Sequence, residues 1–200
     1  MKRPYHHGTL RDALLDEAQL LLAEQGSAAV SLRELARRAG VSHSAPERHF
    51  ANRQALLDAV AARGFTLLAE AIRQALADRG DRLEDRFRAA AEAYVRFALD
   101  NAALLELMFA SKADRTDEAI ATAAADLFSL TAELVGESQE DTTLTAVSPL
   151  RLVVVATLQG IANLAAARRI QPGQVDEVID QAVAVFAPLL APRERPSRAE

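Results

Sequence analysis

Apolar positions recur along this chain at three- and four-residue spacing almost from end to end, the period of a helix and not of a strand. Leu10, Leu14, Ala18 and Leu21 form one such stripe. It predicts a helix that begins at Thr9, has Asp12 at the capping-box position and ends at Gly26. Leu32, Leu35, Ala36 and Ala39 form a second, shorter stripe. Ser31 is placed to cap it, and Glu34, three residues on, to reach back and complete a capping box. Gly40 supplies the positive φ of a turn, Val41 plugs the gap behind it, and Ser42 or Ser44 opens a further helix that Phe50 closes from below. Proline fits only a first helical turn, so Pro46 makes this third helix start late and stay short. Asn52 caps a long helix running to about Ala77, with Leu56, Val60, Leu67, Leu68 and Ile72 facing inward. Gly64 inside it serves either a bend or a close helix contact.

Gly80-Asp81 breaks the pattern, and Asp81 with Glu84 forms the next capping box, opening a helix to about Leu99. Asp100-Asn101 ends it, and Ala102 to Ala110 is a short helix. Thr116 or Asp117 opens another that ends at Gly136, and the acidic stretch from there to Thr145 is expected to be a mobile loop. Ser148-Pro149 starts a helix to about Arg169, with proline at the first helical position. Pro172-Gly173 reads as a turn, Gln174 to Ala187 as the last helix, and Pro188 and Pro192 as its stop. The pattern predicts an all-α protein of about nine helices. Residues 1–53 form a three-helix helix-turn-helix domain, 54–190 a helical body, and 191–200 a charged, disordered tail.

Composition agrees with the absence of sheets: Trp is missing and Gly numbers eight in 200 residues, which suits helices. No cysteine is present, so disulfides and thiolate metal sites are excluded and the chain suits a reducing cytoplasm. The opening MKRPYHHG lacks the apolar run of a signal peptide. Leu152 to Ala167 is the longest apolar stretch, but Thr157, Gln159, Gly160 and Asn163 interrupt it, and a buried helix fits better than a membrane span. The net charge of −5 divides unevenly: residues 1–53 carry eight Lys/Arg and six Asp/Glu, and the remainder 15 and 22. All four histidines fall in the first 50 residues. A mildly basic head on an acidic body is the asymmetry of a DNA-binding head on a body that does not bind DNA.

Two short helices joined by one glycine turn make a helix-turn-helix, whose second helix enters the DNA major groove. With Tyr5-His6-His7-Gly8 before it and Asn52-Arg53-Gln54-Ala55-Leu56-Leu57 after it, this stretch resembles the tetracycline-repressor (TetR) family of transcriptional regulators. The resemblance covers about the first third of the chain. The body is similar to the family in its all-helical layout, with Glu106-Leu107-Met108-Phe109 and Thr157-Leu158-Gln159-Gly160 resembling one branch of its C-terminal domains. The resemblance implies that Arg33, His43, Ser44 and Ala45 meet base edges, and that Ser31, Glu47, Arg48, His49 and Arg53 lie at phosphates. His and Ser can hydrogen-bond bases and the alanine methyl can meet a thymine methyl, whereas phosphate contacts fix register. The Lys2-Arg3 arm would reach an adjacent groove or backbone. The family usually has tyrosine where this chain has Glu47. A carboxylate repels a phosphate, so Glu47 either swings to Arg48 or Arg53 or lowers DNA affinity.

For the body the resemblance implies a homodimer and an effector pocket. Leu150, Val154, Thr157, Ile161 and Leu164, with Val178, Ile179, Ala182, Val183 and Phe186, would pair across a two-fold axis as a four-helix bundle. Phe65, Leu68, Tyr94, Phe97, Met108, Phe109 and Phe128, with Gln159 and Asn163 as polar partners, would line a cavity for a small, mostly apolar molecule. No cofactor is expected. His6-His7 is read as a polar arm and not as a metal site, since no His–x3–His pair sits on a helix. No catalytic triad, phosphate loop or metal cluster marks an enzyme. The expected function is a cytoplasmic, homodimeric repressor released from a palindromic double-stranded DNA operator by its effector. The alternative is a dimeric small-molecule binding protein on the same fold with weakened or lost DNA binding.

Overall fold

The computed structural model describes residues 10–77, 79–110, 118–134 and 148–190. Within them are eight α-helices and no strand: α1 (Leu10–Gln25), α2 (Leu32–Ala39), α3 (Arg53–Ala77), α4 (Leu83–Asp100), α5 (Ala102–Phe109), α6 (Glu118–Leu134), α7 (Pro149–Ala166) and α8 (Pro172–Leu190). Two 3₁₀ turns, Ser27–Ala29 and Pro46–Arg48, lie before α2 and α3. The chain forms two compact units: one holds the residues up to Phe65 and Asn101–Ala123, the other Thr66–Asp100 and the residues from Ala124 on. The expected start at Thr9, the openings at Thr116 or Asp117, the Gly136 stop, the 136–145 loop and the 191–200 tail lie outside the described residues.

The core of the first unit holds most of the predicted positions, while Leu10, Leu32 and Ala39 are only half-buried. Leu14, Ala18 and Leu21 of α1, Leu35 and Ala36 of α2, and Leu56 and Val60 of α3 are buried, with Val30 and Phe50. Burial of this kind is worth about 1.5–3 kcal/mol per large aliphatic side chain. Gly64 resolves in favour of close contact: a Cβ there would stand 2.6 Å from Met108 Sδ of α5 and 3.1 Å from Leu104 Cδ1. Phe65 meets Phe109 edge-on at 5.5 Å, a favoured aromatic geometry.

In the second unit α4 packs on both α7 and α8, and α7 packs on α8. Phe87 and Phe186 meet edge-on at 6.3 Å, and an Arg88–Asp180 ion pair also joins α4 to α8. Ser148 caps α7 by accepting from the Arg151 N–H at 3.2 Å, with Pro149 in the first turn, as expected.

Several helix ends differ from expectation, each for a local reason. α4 starts at Leu83, so Asp81 and Glu84 form no capping box; Glu84 instead pairs with Arg82 at 3.0 Å. α7 stops at Ala166, short of Arg169. The Arg169 N–H reaches back to the Leu164 carbonyl at 2.9 Å while Arg168 adopts a φ of 54°. That is a left-handed helix stop made without glycine. Pro172 is the first residue of α8 and not a turn, and the Gln174 side chain accepts from the Gln171 N–H at 2.9 Å. Pro188 lies inside the last turn of α8 and does not end it. Proline removes one hydrogen bond there, and the helix goes on for two residues.

α7 is long and apolar enough to cross a membrane by length and composition. It is nonetheless one helix of a packed unit, with Arg151, Val154, Leu158, Ile161 and Ala162 buried.

Candidate nucleic-acid interface

The interface is built on a well-capped second helix. The Glu34 N–H donates to Ser31 Oγ at 3.2 Å, as Ser31 in extended backbone allows. The reciprocal half of the box is missing. The Glu34 carboxylate binds Arg37 at 2.6 and 2.9 Å and Arg38 at 3.3 Å. The Arg37 hydrogen bond, aided by Arg38, lowers the Glu34 pKa to about 2. Arg38 also binds Glu24 at 2.7 Å, tying α2 to α1. At the other end Gly40 has a φ of 67° and Val41 donates to the Ala36 carbonyl at 3.0 Å. Glycine is the residue for which that conformation costs nothing.

The expected third helix does not form as an α-helix. From Ser42 to Phe50 the backbone makes tight turns: Ala45 donates to the Ser42 carbonyl, and His49 and Phe50 both donate to the Pro46 carbonyl, each at 3.0 Å. Pro46 has no N–H for an α-type bond to Ser42, and its ring crowds the carbonyl four residues back. The shortening expected from Pro46 therefore goes further, to one 3₁₀ turn. Neither serine caps it through a backbone bond. The turn has no side-chain cap, and Ser42 Oγ and Ser44 Oγ lie 3.4 Å apart.

Pro46 and Phe50 are buried and anchor the segment, while His43, Ser44, Glu47, Arg48 and His49 are exposed and Ala45 is half-buried. Arg11 of α1 lies over the Phe50 ring at 5.4 Å, a cation–π contact that sequence periodicity does not reveal. Arg33 is exposed on α2 and Ser31 is half-buried at its cap. Arg53 does two things at once. It stands in the first turn of α3, and its guanidinium donates to the carbonyls of Val30 at 2.8 Å and Ser27 at 2.5 Å. Asn52 caps the same helix, accepting from the Ala55 N–H at 2.9 Å. Glu47 pairs with neither Arg48 nor Arg53, the two partners anticipated for it.

The residues expected to line an effector pocket fall in both units. Phe65, Met108 and Phe109 belong to the first; Leu68, Tyr94, Phe97, Phe128, Gln159 and Asn163 belong to the second. All but Phe109, Gln159 and Asn163 are buried, and Asn163 is exposed. The Tyr94 hydroxyl is buried with no hydrogen-bond partner among the described residues, and that burial pushes its pKa up to about 12. A groove of about 400 Å³ between α4 and α8 is lined by Glu92, Val95, Arg96, Leu99, Pro172, Val175, Asp176 and Ile179, none of them expected to line a pocket.

The residues expected at a seam between copies divide. Val154, Ile161, Ile179, Ala182, Val183 and Phe186 lie inside the unit at 8% exposure or less, so they are consumed by its own core. Leu150, Thr157 and Val178 are half-buried, and Leu164 is 40% exposed. On α7 and α8 the large apolar side chains left outside are the expected Leu164 and, beyond expectation, Leu152, Val153, Val185 and Leu189. Leu189 was hidden by the expectation that α8 ends before Pro188.

Two family models match the sequence. Residues 14–60 match the bacterial regulatory proteins of the tetR family, and residues 87–186 match the tetracyclin repressor-like C-terminal domain. No curated protein matches. Among solved structures, a protein of unknown function from Rhodococcus sp. RHA1 is 41% identical, with a TM-score of 0.79 over 95% of this chain and 100% of that one. The fatty acid degradation regulator FadR from Bacillus halodurans is similar in fold, with 16% identity and a TM-score of 0.66 over 96% of this chain and 100% of that one. So is the TetR-like transcriptional regulator LfrR from Mycobacterium smegmatis, solved with proflavine, with 23% identity and a TM-score of 0.56 over 87% and 93%.

Proposed function

The chain belongs to the tetR family of bacterial regulatory proteins, the DNA-binding transcriptional regulators, and from this premise we propose that it is a cytoplasmic, homodimeric repressor released from its operator by a small molecule. The observation that carries DNA binding is the exposed run His43, Ser44, Glu47, Arg48 and His49 on a turn anchored by buried Pro46 and Phe50, directly after a capped helix and a left-handed glycine. On this reading residues 1–53 read DNA and 54–190 bind the effector and the second copy. His43, Ser44 and Ala45, with Arg33, meet base edges, while Ser31, Arg48, His49 and Arg53 lie at phosphates.

One helix-turn-helix reads half a site, so a palindrome requires two copies. The outward faces of α7 and α8 support such a pairing. Helices of 18 and 19 residues are each about 27–28 Å long, and two of them side by side offer roughly the 800 Å² per partner that a stable interface takes. Leu152, Val153, Leu164, Val185 and Leu189 stand on these helices with 40–60% of their surface exposed.

The effector reading rests on the second unit, where Leu68, Phe97 and Phe128 are buried and the buried Tyr94 hydroxyl has no hydrogen-bond partner among the described residues. A mostly apolar molecule bearing one hydrogen-bond acceptor suits side chains of this kind. FadR and LfrR, which share this fold, are regulators, and LfrR has been solved in complex with proflavine.

The second reading is a small-molecule binding protein with weakened DNA binding, and the exposed Glu47 on a turn that never becomes an α-helix favours it. Fluorescence anisotropy with DNA flanking the protein's own gene separates the two. Salt-dependent binding that exceeds binding to random duplex supports the repressor, and equal binding to both supports the alternative.

A further inference from the structure

We propose that Glu47 accepts a hydrogen bond from a cytosine in the major groove, and so sets base preference instead of lying at a phosphate. The inference rests on the DNA-binding reading above. Glu47 is exposed on the Pro46–Arg48 turn, three and four residues beyond Ser44 and His43. With Pro46 and Phe50 buried, Glu47 belongs to the run of exposed side chains Ser42, His43, Ser44, Glu47, Arg48 and His49. No described residue ties the Glu47 carboxylate down, and Arg53 is directed to the Val30 and Ser27 carbonyls.

An ionised carboxylate only accepts hydrogen bonds. On a surface that meets DNA it is repelled by every phosphate. The donors that major-groove base edges offer are the N4 amine of cytosine and the N6 amine of adenine. Adenine places its N7 acceptor beside that amine, where it faces the second carboxylate oxygen and repels it. Cytosine has only a C–H beside its amine. Glu47 therefore favours cytosine, because guanine N7 and O6, thymine O4 and adenine N7 are acceptors that repel a carboxylate at that position. A glutamine of the same length carries both a donor and an acceptor and fits the N6 and N7 edge of adenine.

The experiment is selection from a randomised duplex library by the full-length protein and by Glu47→Gln, Glu47→Ala and His43→Ala, followed by competition titrations with single-base changes. The wild type should enrich a half-site with cytosine at one position and discriminate there by about tenfold. Glu47→Gln should move that one position to adenine, and Glu47→Ala should erase its preference, both leaving the other positions alone. If both Glu47 variants bind all sequences more tightly by one factor and enrich the wild-type motif, Glu47 lies at a phosphate and the inference is overturned. His43→Ala tests the underlying reading separately, because it should change preference at a different position even where Glu47 has no effect. A wild type that enriches no motif overturns DNA reading itself, and this inference with it.

Discussion

Arg53 Nε donates to the Val30 carbonyl across 2.8 Å, tying the first turn of α3 to the connection that leads into α2. The same guanidinium also reaches the Ser27 carbonyl. A residue expected at a DNA phosphate is thus also a strap across the helix-turn-helix. Arg53→Ala should lower stability by about 1–2 kcal/mol in urea denaturation. It should also weaken binding to specific and random DNA alike, with a salt slope lower by roughly one unit. Arg53→Lys keeps the charge but loses the fork, so it should retain the slope and lose the stability. An alanine variant as stable as wild type would show that the strap contributes nothing.

Gly64 on α3 leaves no room for a methyl group, since its Cβ would stand 2.6 Å from Met108 Sδ and 2.9 Å from Met108 Cγ. Alanine gains about 1 kcal/mol of helix propensity, but overpacking costs typically 1–3 kcal/mol. Gly64→Ala should therefore be destabilising by about 1 kcal/mol. In a Met108→Ala background the two closest contacts are gone and only Leu104 Cδ1, at 3.1 Å, still crowds the methyl, so the same change should stabilise. A four-variant thermodynamic cycle measures the sign change, and its absence would mean that the helices adjust at no cost.

The legible parts of this molecule were those fixed by local chemistry. Ser31 and Gly40 bounded α2, Asn52 and Ser148 capped their helices, and Pro46 shortened the segment it sits in. Less legible was anything that depends on which of two apolar faces meets which neighbour. α7 carries apolar residues on nearly every side, so periodicity marks Val153 and Val154 alike, and only packing shows that Val154 is buried while Val153 is exposed. The same limit hid the Arg11–Phe50 and Arg38–Glu24 contacts, whose partners are far apart in sequence. Pro188 and Arg168 misled for another reason: one proline in a final turn and one left-handed arginine are each tolerated when neighbouring bonds hold.

Tyr94 has a buried hydroxyl with no hydrogen-bond partner among the described residues, and such a group costs about 1–3 kcal/mol. Tyr94→Phe should raise stability by about 1 kcal/mol at neutral pH. Burial pushes the Tyr94 pKa from 10.0 to about 12, which gives the pH dependence its sign. Between these values the unfolded chain loses the proton and the folded chain keeps it, so unfolding is favoured as pH rises through that window. Wild type should lose stability from pH 10 to about 12 relative to the phenylalanine variant, with no such difference below pH 10. Denaturation curves at pH 7, 10 and 11 test this, and a variant that is less stable at neutral pH would mean that the hydroxyl has found a partner.

Val153 and Val154 are neighbours on α7 with opposite surroundings, 52% and 6% exposed. If two copies join through the outward faces of α7 and α8, the two positions must respond differently to the same charge. Val154→Glu buries a carboxylate in the core of its own unit, and the protein should unfold or aggregate. Val153→Glu leaves that core untouched and places charge only where the second copy would sit. It should give a soluble monomer with wild-type helical content, and Leu164→Glu, also on the outer face, should do the same. Light scattering with chromatography measures the mass and circular dichroism the helicity. The monomeric variants should bind a half-site duplex about as wild type does per protomer, yet lose the tighter binding to a palindrome, because they no longer present two heads at fixed spacing. A Val153→Glu protein that stays a helical dimer would place the seam on another face of the unit, and the groove between α4 and α8 would then be the next surface to test.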